Sequence, residues 1–393
     1  MAPPPKLRTV PTMTTEPNSN PFNVLIAGGG VAALEAMMAL RALAGDRVQI
    51  TLLAPDREFR YRPMAVAEPF TIAHARHIPL ADIAADFDAD LVVGALAAVE
   101  PEQRRVVTRA GARIGYDALV IACGTRLRPA FDGAITIDDR NLGGTLRGLV
   151  QDVEEGYAPT VAFVAPAQAF WPLPLYELAL LTAHRAYDMN APVEISVVSP
   201  ESAPLALFGA GISHELSRLL HDAGITFHGS SFASLAHGEL SLRPSGTRLR
   251  PDRIVALPLL EGPQITGIPS DPHGFIPVSD HGEVLGVDAV FAAGDATSYP
   301  IKHGGIAAQQ AGVAATAIAA RAGVAVTPEP LRPVIRGMLL TGDRNCFLEA
   351  ELVGDAGFSS TVSDVCPWDP PTKVVARHLG PYLAHGDRTP VRT

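Results

Sequence analysis

Residues 23–44 read NVLIAGGGVAALEAMMALRALA. A short apolar run leads into three glycines, and an apolar, alanine-rich stretch of helical character follows. The reading is a buried strand, a tight turn and a helix. Gly28-Gly29-Gly30-Val31-Ala32-Ala33 fits the pattern G-x-G-x-x-G/A. Gly28 permits the sharp turn, Gly30 lets backbone approach a pyrophosphate, and Ala33 lets the helix lie close on the strand. The N–H groups opening the helix then face the phosphates. The stretch predicts a dinucleotide-binding turn.

Further strands are expected at 48–53, 90–93, 105–108 and 116–122. The strand-helix-strand rhythm predicts a parallel sheet with right-handed crossovers. A second cycle opens with TVAFVA at Thr160, passes through a helix over 175–187 and reaches a strand over 193–198. A helix over 211–223 ends at Gly224, a C′ glycine, and a strand follows over 252–257. The run AVFAA, 289–293, leads to Gly294-Asp295 and an alanine-rich helix over 306–322. From Thr327 prolines return, and the tail reads as a cap with a short hairpin or sheet. The fold class is α/β: two Rossmann-like lobes with parallel sheets, plus a small C-terminal cap.

Composition narrows the function classes. The 393 residues carry 31 Lys+Arg against 41 Asp+Glu, a formal charge of −10, and no basic block to neutralise phosphates, so nucleic acid is not expected as a partner. Hydrophobic residues are 47% and charged residues 18%, enough for a large core. Aromatics are only 6% and alanine abounds, which favours helices packed closely on a sheet. Cys123, Cys346 and Cys366 are too few for a disulfide scaffold and lack zinc-ligand or C-x-x-C spacing, a usage suited to a reducing, cytoplasmic setting. Residues 1–21 hold six prolines and no continuous apolar stretch, and read as a disordered leader rather than a secretion signal. No apolar run reaches the ~18 residues of a membrane span.

Two more segments repeat the strand-to-glycine design: YDALVIACGT at 116–125 and DAVFAAGDATS at 288–298. With the first turn, and with KHGGIAAQQAG at 302–312, they resemble the FAD-dependent pyridine nucleotide-disulfide oxidoreductase superfamily. The likeness is greatest to its branch of type II NADH dehydrogenases, sulfide:quinone oxidoreductases and flavocytochrome c sulfide dehydrogenases, and it covers residues 22–325. The resemblance implies non-covalent FAD. Gly28, Gly29, Gly30, Val31, Ala32 and Ala33 would hold its pyrophosphate, and Leu96 would lie near adenine. Ala122, Cys123 and Gly124 occupy the family's ATG position, with cysteine for threonine. Gly294 and Asp295 would meet the ribitol, and the backbone near Ile306 the isoalloxazine O2. It also implies an organisation: leader 1–21, first part of the FAD lobe 22–129, inserted NAD-like lobe 130–270, second part of the FAD lobe 271–325, and a cap or interface region 326–393.

Several positions depart from that pattern or leave a choice. Ala54 stands where a ribose-binding carboxylate is usual; Asp56 either substitutes or is a turn residue after Pro55. Arg60 and Arg62 either approach the pyrophosphate or form a solvated face. No glycine occurs between Gly156 and Gly209, and bulky Phe170 and Trp171 follow the second lobe's first strand, so ordinary NAD(P)H binding is not expected. Cys346 lies where sulfide:quinone enzymes keep a second redox cysteine, but it lacks an evident partner; a buried structural thiol is the alternative. Phe170, Trp171 and Tyr176 are candidates for an apolar pocket taking a planar acceptor such as a quinone, or for interdomain packing. Lys302 is a candidate for stabilising a reduced anionic ring, and His303 for proton donation; an exposed loop lysine and a packing histidine are the alternatives. The tail is expected to pack over the flavin site or to make a dimer contact, with peripheral membrane contact open. The expected function is an FAD-dependent oxidoreductase linking a small-molecule donor to a small acceptor. The alternatives are an NAD(P)H-dependent reductase with an atypical nucleotide site, a sulfide:quinone-type enzyme and a non-catalytic flavin sensor.

Overall fold

The computed structural model describes residues 21–138, 142–353 and 357–385. The expected leader therefore lies outside the described residues but for Pro21. Along the chain come β1 (Phe22–Ala27), α1 (Val31–Ala44), β2 (Val48–Ala54), β3 (Ala89–Val93) and β4 (Ala118–Ile121). Then follow β5 (Ile135–Thr136), α2 (Leu142–Glu154), β6 (Thr160–Val164), α3 (Leu173–Asp188), β7 (Glu194–Val198), α4 (Ala210–Asp222), β8 (Ile225–His228) and β9 (Arg253–Ala256). The chain closes with β10 (Val290–Ala292), α5 (Gly304–Arg321), β11 (Val334–Leu340), β12 (Asn345–Val353), β13 (Gly357–Ser363) and α6 (Leu379–His385).

The first sheet has the order β10-β4-β1-β2-β3 and is parallel throughout. Its strand β10 comes from far along the chain, with Val290 opposite Leu119, so two separate stretches of sequence build one sheet. The second sheet, β5-β9-β6-β7-β8, is also parallel. Between the lobes the chain passes out along Arg126–Arg128 and back along Leu259–Glu261, which pair antiparallel. The cap is an antiparallel meander, β11-β12-β13. Strands β4 and β10 are buried throughout, as parallel strands covered on both faces must be.

Two expectations need correction. The strand over 116–122 is shorter, Ala118–Ile121, although backbone bonds to β1 continue on either side of it, from Asp117 N to Asn23 O and from Ala122 N to Ala27 O. The strand Arg105–Thr108 stays out of the parallel sheet; it pairs antiparallel with Leu96–Glu100 and Arg113–Gly115.

The alanine content finds its place between α1 and α5. Ala32, Ala33, Ala36 and Ala39 of α1 are buried, as are Ala307, Ala308, Ala311, Ala314 and Ala315 of α5. Small side chains let two helices lie close together over one sheet. Ala311→Leu would force extra methylenes into this seam and is expected to destabilise the protein by about 1–3 kcal/mol. Denaturant unfolding measures it.

Candidate active site

The carboxyl ends of the first sheet's strands converge. Gly28 N donates to Leu53 O at 2.9 Å, Ala122 N to Ala27 O at 2.8 Å, and Ala293 N to Ile121 O at 3.0 Å. An open parallel sheet binds ligands just beyond such ends. At Gly28 φ is +148°, and a Cβ there would stand 2.1 Å from Ala122 O, so only glycine lets the two turns meet. At Gly30, by contrast, a Cβ would meet nothing within 4 Å, which leaves the backbone at the start of α1 open to a ligand. Gly30 is the N-cap of α1, with no side chain bonded there, so the positive end of the helix is bare. Gly29 abuts Leu80 and Ala54, while Ala33 is fully buried.

The Gly294-Asp295 turn joins the same crevice. Gly294 has φ +77°, and a Cβ on it would lie 3.0 Å from Ala32 Cβ and 3.3 Å from Ala307 Cβ. Buried Gln310 on α5 fixes this turn: its Oε1 accepts from Gly294 N at 2.7 Å, and its Nε2 donates to Thr297 Oγ1 at 3.3 Å. Gln310 escaped the sequence reading, although a polar residue inside an alanine-rich helix is a visible signal. Ile306 is buried in the first turn of α5. Leu96 is half-buried, two residues past Gly94, whose N–H bonds Ala54 O at the end of β2. Asp56 is exposed in the turn after β2, and Arg62 is half-buried after the strand Glu58–Tyr61.

Lys302 is 6% exposed. Its ammonium donates to Thr297 O and lies 3.9 Å from the Phe275 ring centroid and 5.4 Å from that of Phe170. Burial lowers its pKa to about 8 against the opposing pull of Asp295 and Asp271. The exposed loop lysine is thereby ruled out.

His303, 9% exposed, is the N-cap of α5. Its Nδ1 accepts from Gly305 N at 3.2 Å, which leaves the ring hydrogen on Nε2. The ring stacks on Trp171 at 4.2 Å. Burial first, then the charge of Lys373, pushes its pKa down to about 3. At neutral pH the imidazole is an uncharged cap and stacking partner. Phe170 meets Phe275 edge-on at 5.5 Å, so the loop before α3 folds back against the first lobe.

Other candidates fall elsewhere. Tyr176 is 0% exposed in the second lobe's core, where its Oη donates to Glu201 at 2.8 Å; it lines no pocket, because its place on α3 faces inward. Cys346 is buried in β12 opposite Leu339, and burial raises its pKa. Cys366 bonds the carbonyl of Trp368. Cys123 opens to solvent at the crevice, yet the surrounding protein desolvates it and raises its thiol to about 11. All three thiols are free. Among the described residues no His/Cys/Asp/Glu group could hold a metal, and no helix is long and apolar enough to cross a membrane.

No protein-family model matches the chain. Over 303 residues it is 28% identical to a NADH dehydrogenase-like protein of Mycobacterium tuberculosis, covering 69% of this chain and 72% of that one. Over 207 residues it is 25% identical to the sulfide-quinone reductase of Aquifex aeolicus, covering 51% of this chain and about half, 48%, of the relative. Among solved structures, the sulfide:quinone oxidoreductase of Aquifex aeolicus superposes with a TM-score of 0.79 at 18% identity, over 87% of both chains. The ferredoxin reductase for the CYP199A2 system of Rhodopseudomonas palustris gives 0.64 at 20% identity, over 84% of this chain and 83% of the other. The fold and these relatives define a flavin-dependent oxidoreductase. These likenesses support a place in the FAD-dependent pyridine nucleotide-disulfide oxidoreductase superfamily.

The histidine cap has a consequence for acid stability. Unfolded, His303 takes up a proton near its ordinary 6.5; folded, not until about 3. Between those values the unfolded state binds more protons, so stability falls as pH drops through this window. His303→Gln, which keeps an acceptor for Gly305 N, is expected to flatten that part of the stability–pH curve, read by denaturant unfolding at pH values across it.

Proposed function

We propose that the chain binds FAD in the first lobe's crevice and passes electrons from a small donor to a small planar acceptor such as a quinone. The observation that carries this reading is the fit of the crevice: open backbone at Gly30, the bare start of α1, and the Gly294-Asp295 turn beside the start of α5. Gly28 to Ala33 would take the pyrophosphate, Asp295 the ribitol, and the backbone at Gly305 and Ile306 the polar edge of the ring. Bound FAD supplies a ring that accepts and returns two electrons. The chain's own residues set its surroundings. Lys302 presents a buried positive charge that offsets negative charge gathering on a nearby ligand. Phe170, Trp171 and Phe275 give an apolar wall, and neutral His303 carries an Nε2–H donor beside it.

The electron donor is read as something other than NAD(P)H, although one relative is named NADH dehydrogenase-like. The loop 165–172 has no glycine. Pro174, second in α3, has no N–H to offer a phosphate. Phe170 and Trp171 are turned onto Phe275 and His303, where they crowd the approach to the helix start. Cys346 is buried and, like the other two cysteines, a free thiol, which argues against a two-thiol relay.

Gly30→Val tests the crevice. It places a branched side chain in open space, so the protein is expected to fold with an unchanged far-ultraviolet spectrum but to lose its bound FAD, read by visible absorbance and by mass of the released cofactor. A folded Gly30→Val protein that keeps FAD at the wild-type level would overturn the assignment.

A further inference from the structure

Three helices start beside the crevice: α1 at Val31, α5 at Gly304, and α3 at Leu173, just after the Trp171 that stacks on His303. A single stretch near the C-terminus, 366–385, reaches all three. It leaves the cap at Trp368, whose ring packs edge-on against Phe347 at 5.5 Å. Lys373 then enters the second lobe. Its Nζ donates to both carboxylate oxygens of Glu177 on α3, at 2.6 and 2.8 Å. Glu177 is 0% exposed and also accepts Leu340 N at 3.1 Å, tying in β11 of the cap.

The next residue, Val374, turns to the first lobe. Its N–H bonds Tyr61 Oη at 3.1 Å, and its side chain lies where a Cβ on Gly304 would stand, 2.8 Å from Val374 Cγ2. The strap thus presses on the first turn of α5. It finishes on α1: buried Glu35 accepts His378 N at 3.0 Å and Leu379 N at 2.7 Å. Tyr382 Oη donates to Asp86 at 2.7 Å, and Arg76 donates to Leu383 O at 2.9 Å. Both Glu177 and Glu35 lie in the second turn of their helices, behind the ends that face the crevice.

We propose that residues 366–385 are a clamp that holds the helix starts around the cofactor crevice in place, with Glu177 and Lys373 as its positioning residues. The proposal rests on the FAD reading above. Fixing three helix starts relative to one another fixes the ring-binding end of the crevice against the second lobe, so a bound flavin is released more slowly while the strap is fastened. The Glu177–Lys373 pair fastens the strap to α3 through two charged hydrogen bonds. Burial penalises each charge alone, so the two groups hold each other in place. Neither is among the residues assigned above to the flavin.

The test uses the full chain loaded with FAD and follows flavin release by the rise of free-flavin fluorescence after dilution. The variants are Lys373→Met, Lys373→Arg and the double Glu177→Gln/Lys373→Met, which leaves no uncompensated charge. The unfolding midpoint of the flavin-free protein is measured for each. Release about ten-fold faster in Lys373→Met and in the double, with the Arg variant near wild type, is the expected result. Wild-type release from the double, or acceleration that only follows the flavin-free unfolding midpoint across the set, would overturn the clamp. A wild-type chain that holds no FAD would instead overturn the reading it rests on.

Discussion

Backbone meets backbone at Gly28, where any side chain would collide with the Ala122 carbonyl at 2.1 Å. That approach brings the turns after β1 and β4 together, and a second one, Gly294 between Ala32 and Ala307, adds the turn after β10. The two together decide where α1 and α5 begin. Their starts sit side by side because the seam between the helices is lined with alanine, and a bulkier seam would splay them. Everything placed in the crevice follows from this. Gln310 reaches Gly294 N, Lys302 reaches Thr297 O, and His303 caps α5 against Trp171.

The second lobe repeats the parallel sheet, and Ala165 N bonds Val198 O at 2.9 Å much as Gly28 N bonds Leu53 O; it does not repeat the glycines beyond that point. Between β6 and α3 the chain has prolines and aromatics where the first lobe has glycines. A turn built from prolines and bulky side chains offers a phosphate few open N–H groups. Its aromatic side chains pack against the first lobe instead. One lobe thus keeps an open crevice, and the other contributes a wall. The low dielectric of that wall accounts for the electrostatics: Lys302 is held as a cation that titrates near pH 8, and His303 is held neutral.

Much of this was legible in residue order. Glycine turns and buried apolar runs are local signals, and the strands at β1, β2, β3, β6 and β7 and the helices α3, α4 and α5 lie within one or two residues of where periodicity puts them. The β10 pairing was legible only through the repeated strand-to-glycine design, since no local pattern says which sheet a strand joins. What stayed hidden depends on contacts between distant residues. Tyr176 looked like a pocket residue because it is aromatic and near Trp171, but the phase of α3 turns it into the core. Lys373 and Glu177 carry no local signal of a shared role. Their pairing across 196 positions appears only when the chain is folded. Lys302 and His303 were read from sequence with their roles open; burial settled the charge state of each.

The central claim is a contrast: the first lobe holds a flavin, and the second has filled its nucleotide site with its own side chains. Anaerobic mixing of the flavin-loaded protein with NADH tests it most directly, followed by visible absorbance, with dithionite as proof that the bound flavin can be reduced. The account predicts that dithionite bleaches the flavin while NADH leaves the oxidised spectrum standing. Rapid bleaching that saturates with NADH concentration would contradict it.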